Sequence, residues 1–193
     1  MKIFAIRHPQ TQWNLIRRFQ GHLDSPLTDL GIETVNKLAD ELKNKNITKI
    51  ISSDLGRCVQ TSQIIAKKLN IKNIELDKNL RERNFGIYNG KYKKDIVNIF
   101  DEDDYYFIAP EGESCKDMQN RVLTFLNNFK EKFNLEKEDR ILIVTHSGIL
   151  KTLLFYSQNN SFNDKSNKTT QKTICKFSLE NNKLNIIRKK EIL

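Results

Sequence analysis

Lys2-Ile3-Phe4-Ala5-Ile6-Arg7-His8-Pro9-Gln10-Thr11-Gln12-Trp13-Asn14 is the stretch on which the reading of this chain turns. Its apolar run, Ile3 to Ile6, is continuous rather than alternating, which predicts a strand buried on both faces of a parallel sheet. Pro9 cannot continue a central strand, so the strand stops at Arg7-His8. Open α/β sheets bind ligands at the carboxyl ends of their strands. An arginine, whose planar fork suits phosphate, and a histidine, a competent nucleophile or proton carrier, therefore stand where a ligand is expected. Taken alone, the pair is equally a loop arginine beside a structural histidine.

A second strand end has the same character. Arg140-Ile141-Leu142-Ile143-Val144-Thr145 is the clearest strand in the sequence, and it runs into His146-Ser147-Gly148, with Ser147 expected to cap the helix that follows. The chain has three histidines, and two of them, His8 and His146, occupy equivalent places.

Between these strands, Thr28 is expected to cap a helix running to about Lys45, with Ile32, Val35, Leu38, Ala39 and Leu42 on its core face. Thr48 to Ser52 reads as a strand, with Asp54 as the cap of the next helix. That cap places Arg57 in the first turn, where a cation opposes the helix dipole and calls for an anion nearby. Ile74-Glu75-Leu76 is a short strand. In Leu80-Arg81-Glu82-Arg83, Glu82 is either an acid kept ionised by its flanking arginines or a surface salt-bridge residue. Ser114 is expected to cap one long helix whose inner face runs from Met118 to Phe133.

Three segments read as less regular. Arg17 to His22 is a polar loop competent to wrap an anion, or simply a solvated one. Residues 87–113 read as a lid-like insertion that shapes a pocket, or as a plain solvated one: Tyr88, Tyr92, Ile96, Ile99 and Phe100 suggest a short helix, and Asp101 to Asp104 an acidic loop. Ser157 to Lys172 reads as a flexible polar loop, ahead of a hairpin from Thr173–Leu179 to Leu184–Arg188.

Alternating strands and helices predict a mostly parallel sheet with helices on both faces, in one domain spanning residues 1–193. His8, Arg57 and His146 then project from one edge, describing a cationic pocket around an imidazole.

Composition narrows the function classes. The 193 residues carry 30% charged and 38% hydrophobic side chains, and no apolar stretch approaches the length of a bilayer span. The N-terminal apolar run is cut off by Arg7, so no signal peptide and no membrane partner are expected. Cys58, Cys115 and Cys175 are scattered, which supports neither a disulfide framework nor a zinc site and suits a reducing cytoplasm. The net charge of +9 is spread by lysines along helices and the C-terminal hairpin, so an anionic small molecule is expected rather than nucleic acid.

The ordered set of motifs resembles the histidine phosphatase superfamily, the phosphoglycerate mutase-like proteins. Arg7-His8-Pro9-Gln10-Thr11 stands for the family's Arg-His-Gly-Glu-Thr and is followed by Trp13-Asn14. Gln20-Gly21, Asp24-Ser25-Pro26-Leu27-Thr28, Ser52-Ser53-Asp54-Leu55-Gly56-Arg57, Leu80-Arg81-Glu82 with Phe85-Gly86, Pro110 to Ser114, and Thr145-His146-Ser147-Gly148 come in the family's order. Beyond Ser157 the match fades. Pro9 and Gln10 depart from the pattern, deleting an N–H and a carboxylate beside the histidine.

The resemblance implies a three-layer α/β/α sandwich and metal-free, cofactor-free phosphoryl transfer. His8 is the implied nucleophile. Arg7, Arg57 and a protonated His146 hold the phosphoryl oxygens, and Glu82 is the acid, with Glu113 as its rival. Asn14, Gln20, Gly21 and Ser147 are implied phosphate or substrate contacts. A second-shell acceptor is expected on the other nitrogen of His8. The expected activity is a cytoplasmic phosphomonoester phosphatase acting on a small phosphorylated metabolite. The alternatives are a phosphoglycerate mutase (whose known members are generally longer), an α-ribazole phosphate phosphatase, and a non-catalytic phospholigand-binding protein.

Overall fold

The computed structural model describes residues 1–96 and 105–193, so the expectations for Ile99, Phe100 and Asp101 to Asp104 lie outside the described residues. Its centre is a six-stranded sheet of β1 (Lys2–Arg7), β2 (Lys49–Ser52), β3 (Ile74–Leu76), β4 (Arg140–Thr145), β5 (Thr173–Glu180) and β6 (Lys183–Glu191) in the order β3-β2-β4-β1-β5-β6. The first four run parallel, and β5 pairs antiparallel with both β1 and β6.

The continuous apolar runs are explained by burial on both faces. Ile3, Ala5, Ile141 and Ile143 point into one core, packed by α5 (Cys115–Asn127) and α7 (Ser147–Gln158). Phe4, Ile6, Leu142 and Val144 point into the other, packed by α2 (Asp29–Leu42) and α3 (Gly56–Leu69). The chain leaving β1 thus feeds a helix on one face, and the chain leaving adjacent β4 feeds a helix on the opposite face. That reversal opens a crevice at the carboxyl ends of β1 and β4, the usual ligand position in an open α/β sheet. Arg7 pairs in register with Thr145, so His8 and His146 emerge side by side.

Caps account for most element boundaries. The Thr28 hydroxyl accepts the Gly31 N–H at 3.0 Å to start α2, and Ser114 forms a capping box with Asp117 at the start of α5. Losing such a cap costs about 1 kcal/mol. Two caps differ from expectation. The N-cap of α3 is Leu55, because Asp54 is drawn away into a two-pronged ion pair with Arg81. The N-cap of α7 is His146, and Ser147 is already the first helical residue. The helix expected from Ser114 to Phe133 breaks at Asn128, leaving α5 and the one-turn α6 (Phe129–Lys132), although Phe129 and Phe133 remain in the core. The hairpin strands extend to Glu180 and Lys183 because Asn181 and Asn182 both adopt left-handed φ, the conformation of a tight two-residue turn.

Two one-turn helices complete the described α-helical elements: α1 (Gln12–Leu15), capped by Thr11, for which no element was expected, and α4 (Lys93–Ile96), which falls where Tyr88, Tyr92 and Ile96 suggest a short helix. The segment expected to be a flexible loop is tied down. Its first two residues extend α7, Phe162 is buried, and Asn167 is buried with its side-chain amide bonded to Asn160, Ser161, Phe162 and Gln158.

Candidate active site

Arg7, His8, Asn14, Gln20, Gly21, Arg57, Glu82 and Ser147 line one pocket of about 550 Å³ at the β1–β4 crevice. His146 lies beneath it, fully buried, with its ring edge-on to His8 at 5.2 Å between centroids. All nine residues singled out from the sequence are therefore brought together.

The geometry of His8 follows from the strand end. The His8 N–H donates to the Thr145 carbonyl at 2.9 Å, continuing the ladder one residue past β1. The ring Nδ1 lies 2.8 Å from the Pro9 carbonyl. A carbonyl only accepts, so Nδ1 carries the proton and Nε2 carries the lone pair. The expected second-shell acceptor is thus a backbone carbonyl, and Pro9 keeps that carbonyl although it lacks an N–H. Gln10 turns its amide oxygen to the Thr28 hydroxyl at 3.0 Å, tying β1 to the start of α2.

Burial, then the charges of Arg7 and Arg57, hold the His8 pKa well below the ordinary 6.5. The same causes, led by burial and then Arg57, hold His146 well below it too. Both imidazoles are thus held towards the neutral form in the free protein, whereas the protonated His146 that the resemblance implies belongs to a state with phosphoryl oxygens bound. An anion between the guanidinium groups would reverse the sign of that field. The Nε2 of His146 is 2.8 Å from the Ser53 hydroxyl and 3.4 Å from the Cys58 thiol. Burial pushes the pKa of that thiol far up, so it stays protonated.

Arg57 is 1% exposed. Its Nη1 donates to the Leu23 carbonyl and to Asp24 Oδ1, and its Nη2 donates to the Gly21 carbonyl. Asp24 Oδ1 also accepts the Arg57 backbone N–H at 3.1 Å. Asp24 is the anion that the helix start required, supplied from within the chain. Gly21 serves here through its carbonyl, at a φ of +51° and where a Cβ would stand 1.8 Å from Asn89 Oδ1. The Nε atoms of Arg57 and Arg7 are buried without a hydrogen-bond partner among the described residues. Two orphaned cationic donors beside one imidazole form an incomplete anion cradle.

The neutral amides are oriented as donors. Asn14 Oδ1 accepts from the Thr11 N–H at 3.1 Å and from Gln171 Nε2 at 3.3 Å, leaving Asn14 Nδ2 for the pocket. Gln20 Oε1 accepts the Ser25 hydroxyl at 3.3 Å, leaving Gln20 Nε2. Arg17, Arg18, Phe19 and Lys93 complete the wall. Arg18 is fixed with its guanidinium 4.5 Å from the Trp13 ring centroid and its Nε donating to the Gly90 carbonyl, whereas His22 turns away to the Glu82 carbonyl.

The two candidate acids differ in their partners and in their position. Glu113 makes a two-pronged ion pair with Arg121 and accepts the Asn84 N–H, away from the pocket. Glu82 faces the pocket. Its flanking arginines do not supply its charge partner: Arg81 pairs with Asp54, and the Arg83 guanidinium bonds the carbonyls of Glu113 and Phe107. Backbone N–H groups of Arg83 and Gly148 hold the Glu82 carboxylate instead, at 3.0 and 3.2 Å. Its own carbonyl is pinned by Arg121 and His22. Gly148 permits this approach, since a Cβ there would lie 2.5 Å from Glu82 Oε1.

Sequence reasoning missed Asp24, Ser53 and Gln171 as supports and Lys93 as wall. Asp24 and Ser53 sat inside motifs already quoted, whereas Gln171 and Lys93 carried no local signal.

Fold and site together define a parallel α/β protein with a cationic anion cradle built around paired histidines. Residues 3–190 match the sequence model of the Histidine phosphatase superfamily (branch 1), and the chain belongs to that family. Membership of a superfamily named for its phosphatases supports an enzyme. It is 33% identical over 164 residues to a protein from Proteus mirabilis named "Probable phosphoglycerate mutase GpmB", covering 80% of this chain and 73% of the other. It is 35% identical over 161 residues to "Phosphoglycerate mutase-like protein 4" of Arabidopsis thaliana, covering 79% and 69%. Among solved structures, Bacillus stearothermophilus YhfR superposes with a TM-score of 0.86 at 25% identity over 96% of this chain and 94% of that one. A putative alpha-ribazole-5'-P phosphatase from Escherichia coli shares the fold with a TM-score of 0.83 at 22% identity, covering 97% and 94%.

Proposed function

We propose that the protein is a phosphomonoester phosphatase acting on a small phosphorylated metabolite through a phosphohistidine at His8. The observation that carries this reading is the locked tautomer of His8 beside the unpartnered Nε donors of Arg7 and Arg57, with Glu82 in the same pocket. The neutral Nε2 attacks phosphorus. An N–P bond forms, the ester P–O bond breaks, and the electron pair leaves on the alkoxide, which takes a proton from Glu82. In the second half Glu82 takes a proton from water as the water oxygen bonds phosphorus. The N–P bond then breaks and neutral His8 returns. Arg7 and Arg57, with Asn14 and Gln20, hold the equatorial oxygens where transition-state charge sits. His146, kept neutral first by burial and then by the nearby guanidinium charges, takes up a proton from solvent as the phosphate arrives, because the incoming negative charge favours the imidazolium. Such a reaction suits a cytoplasmic enzyme with a small-molecule partner.

The names of the relatives favour a second reading, a phosphoglycerate mutase, in which the phosphohistidine is returned to a reoriented intermediate instead of water. An assay that follows free phosphate and isomerised product together separates the two. Metal-free release of phosphate from p-nitrophenyl phosphate, abolished by His8→Ala, is the expected result. Undiminished turnover in that variant would reject the mechanism.

A further inference from the structure

A second cavity, of about 360 Å³, opens on the other side of Glu82 and shares Glu82, Phe85 and Ser147 with the phosphate pocket. The Glu82 carboxylate lies where the two cavities adjoin, held by the N–H of Gly148, which lines the second. Accepting the proposed role of Glu82, we propose that the alcohol half of the substrate occupies this cavity, and that it is a largely apolar alcohol bearing a distal anionic group.

The direction follows from the chemistry. A general acid must reach the bridging oxygen at hydrogen-bond distance, so the alcohol leaves on the acid's side of phosphorus. The cavity's size lies within the range of about 300–1,000 Å³ typical of small-molecule sites. Its apolar surface comes from Phe85, Met118 and Phe162. Its cationic side chains are Arg83, Lys151 and Lys168, and the Arg83 guanidinium is held by the carbonyls of Glu113 and Phe107. The Lys151 Nζ lies 4.2 Å from the Phe162 ring centroid and bonds Asn163 Oδ1 at 2.8 Å, which fixes an ammonium at the cavity wall. Lys168 follows buried Asn167, so its backbone is held by the same amide network. Phe162 is itself seated edge-on against Phe155 and Tyr105. This wall is built before ligand arrives, so selectivity for the alcohol costs little ordering.

The test uses equilibrium binding and needs no turnover. Benzylphosphonate and 4-carboxybenzylphosphonate are titrated calorimetrically into the wild-type protein and into Lys151→Ala, Lys168→Ala and Lys168→Glu. The carboxylated ligand is expected to bind about fivefold more tightly to the wild type, the scale of one partly exposed ion pair. The ratio is expected to fall towards one in both alanine variants and to invert in Lys168→Glu. Equal affinities in the wild type, or a ratio that survives all three substitutions, would overturn the proposal. So would a ratio abolished by Arg17→Ala instead, which would place the alcohol on the opposite side. Failure of the phosphatase reading shows separately, in the turnover of His8→Ala.

Discussion

The ends of β1 and β4 are neighbours in the sheet and each delivers a buried histidine, yet the two imidazoles are held by different chemistry. The Nδ1 of His8 meets a carbonyl, which fixes one tautomer. The Nε2 of His146 meets a hydroxyl and a thiol, both of which donate or accept. A fixed tautomer keeps a lone pair aimed, which is what a nucleophile requires. An adaptable partner lets a ring gain or lose a proton without breaking its hydrogen bond, which suits a group that answers the charge of its ligand. One fold places two identical side chains 5.2 Å apart and surrounds them with different partners, a carbonyl for one and a hydroxyl and a thiol for the other.

That contrast breaks most readily at His8. His8→Ala is expected to lower kcat/KM by about 10⁴-fold or more, measured as phosphate release. In the proposed mechanism His146→Ala removes a charge clamp and not the bond-forming atom, so a loss of about 10²–10³-fold is expected. Equal losses would erase the distinction between the two strand ends.

Acid sensitivity examines both rings together. Each has a native pKa held well below 6.5, so between that value and 6.5 the unfolded chain binds the extra proton. Stability is therefore expected to be flat with respect to these groups above about pH 6.5, and to fall as pH drops below it by about 1.4 kcal/mol per unit for each ring. His22, lowered as well, adds in the same direction. Urea midpoints across pH 5–7 read the slope, and His8→Ala is expected to remove one ring's share.

Smaller effects sharpen the supports. Gly148→Ala presses a methyl group against Glu82 Oε1 and is expected to lower kcat about tenfold or more, as a displaced acid should. Gln171→Ala removes one of two bonds that orient Asn14, so KM is expected to rise about fivefold with kcat little changed, and Gln171→Asn to restore part of it.

How much of this was legible in the sequence depended on range. The strands β1, β2 and β4 were legible because burial on both faces leaves continuous apolar runs, and Thr28 and Ser114 because a cap is a local bond. The boundaries failed where a distant residue competed. Asp54 was lost as a cap to Arg81, and the Ser157–Lys172 segment was read as flexible because a buried asparagine network has the composition of a solvated loop. The site's principal groups were legible through motif order, and their placement through alternating topology. Their supports were not: Gln171 meets Asn14 from the far end of the chain, and Glu82 takes its holding bonds from backbone N–H groups that every residue carries.

Trapping the covalent intermediate tests the central claim most directly. Protein mixed with a radiolabelled phosphomonoester and quenched in alkali within one turnover should carry label that is stable to base and labile to acid. Peptide mapping should place that label on the Nε2 of His8 and find none in His8→Ala. Phosphate released at full rate with no such label, or label found on another residue, would contradict the account.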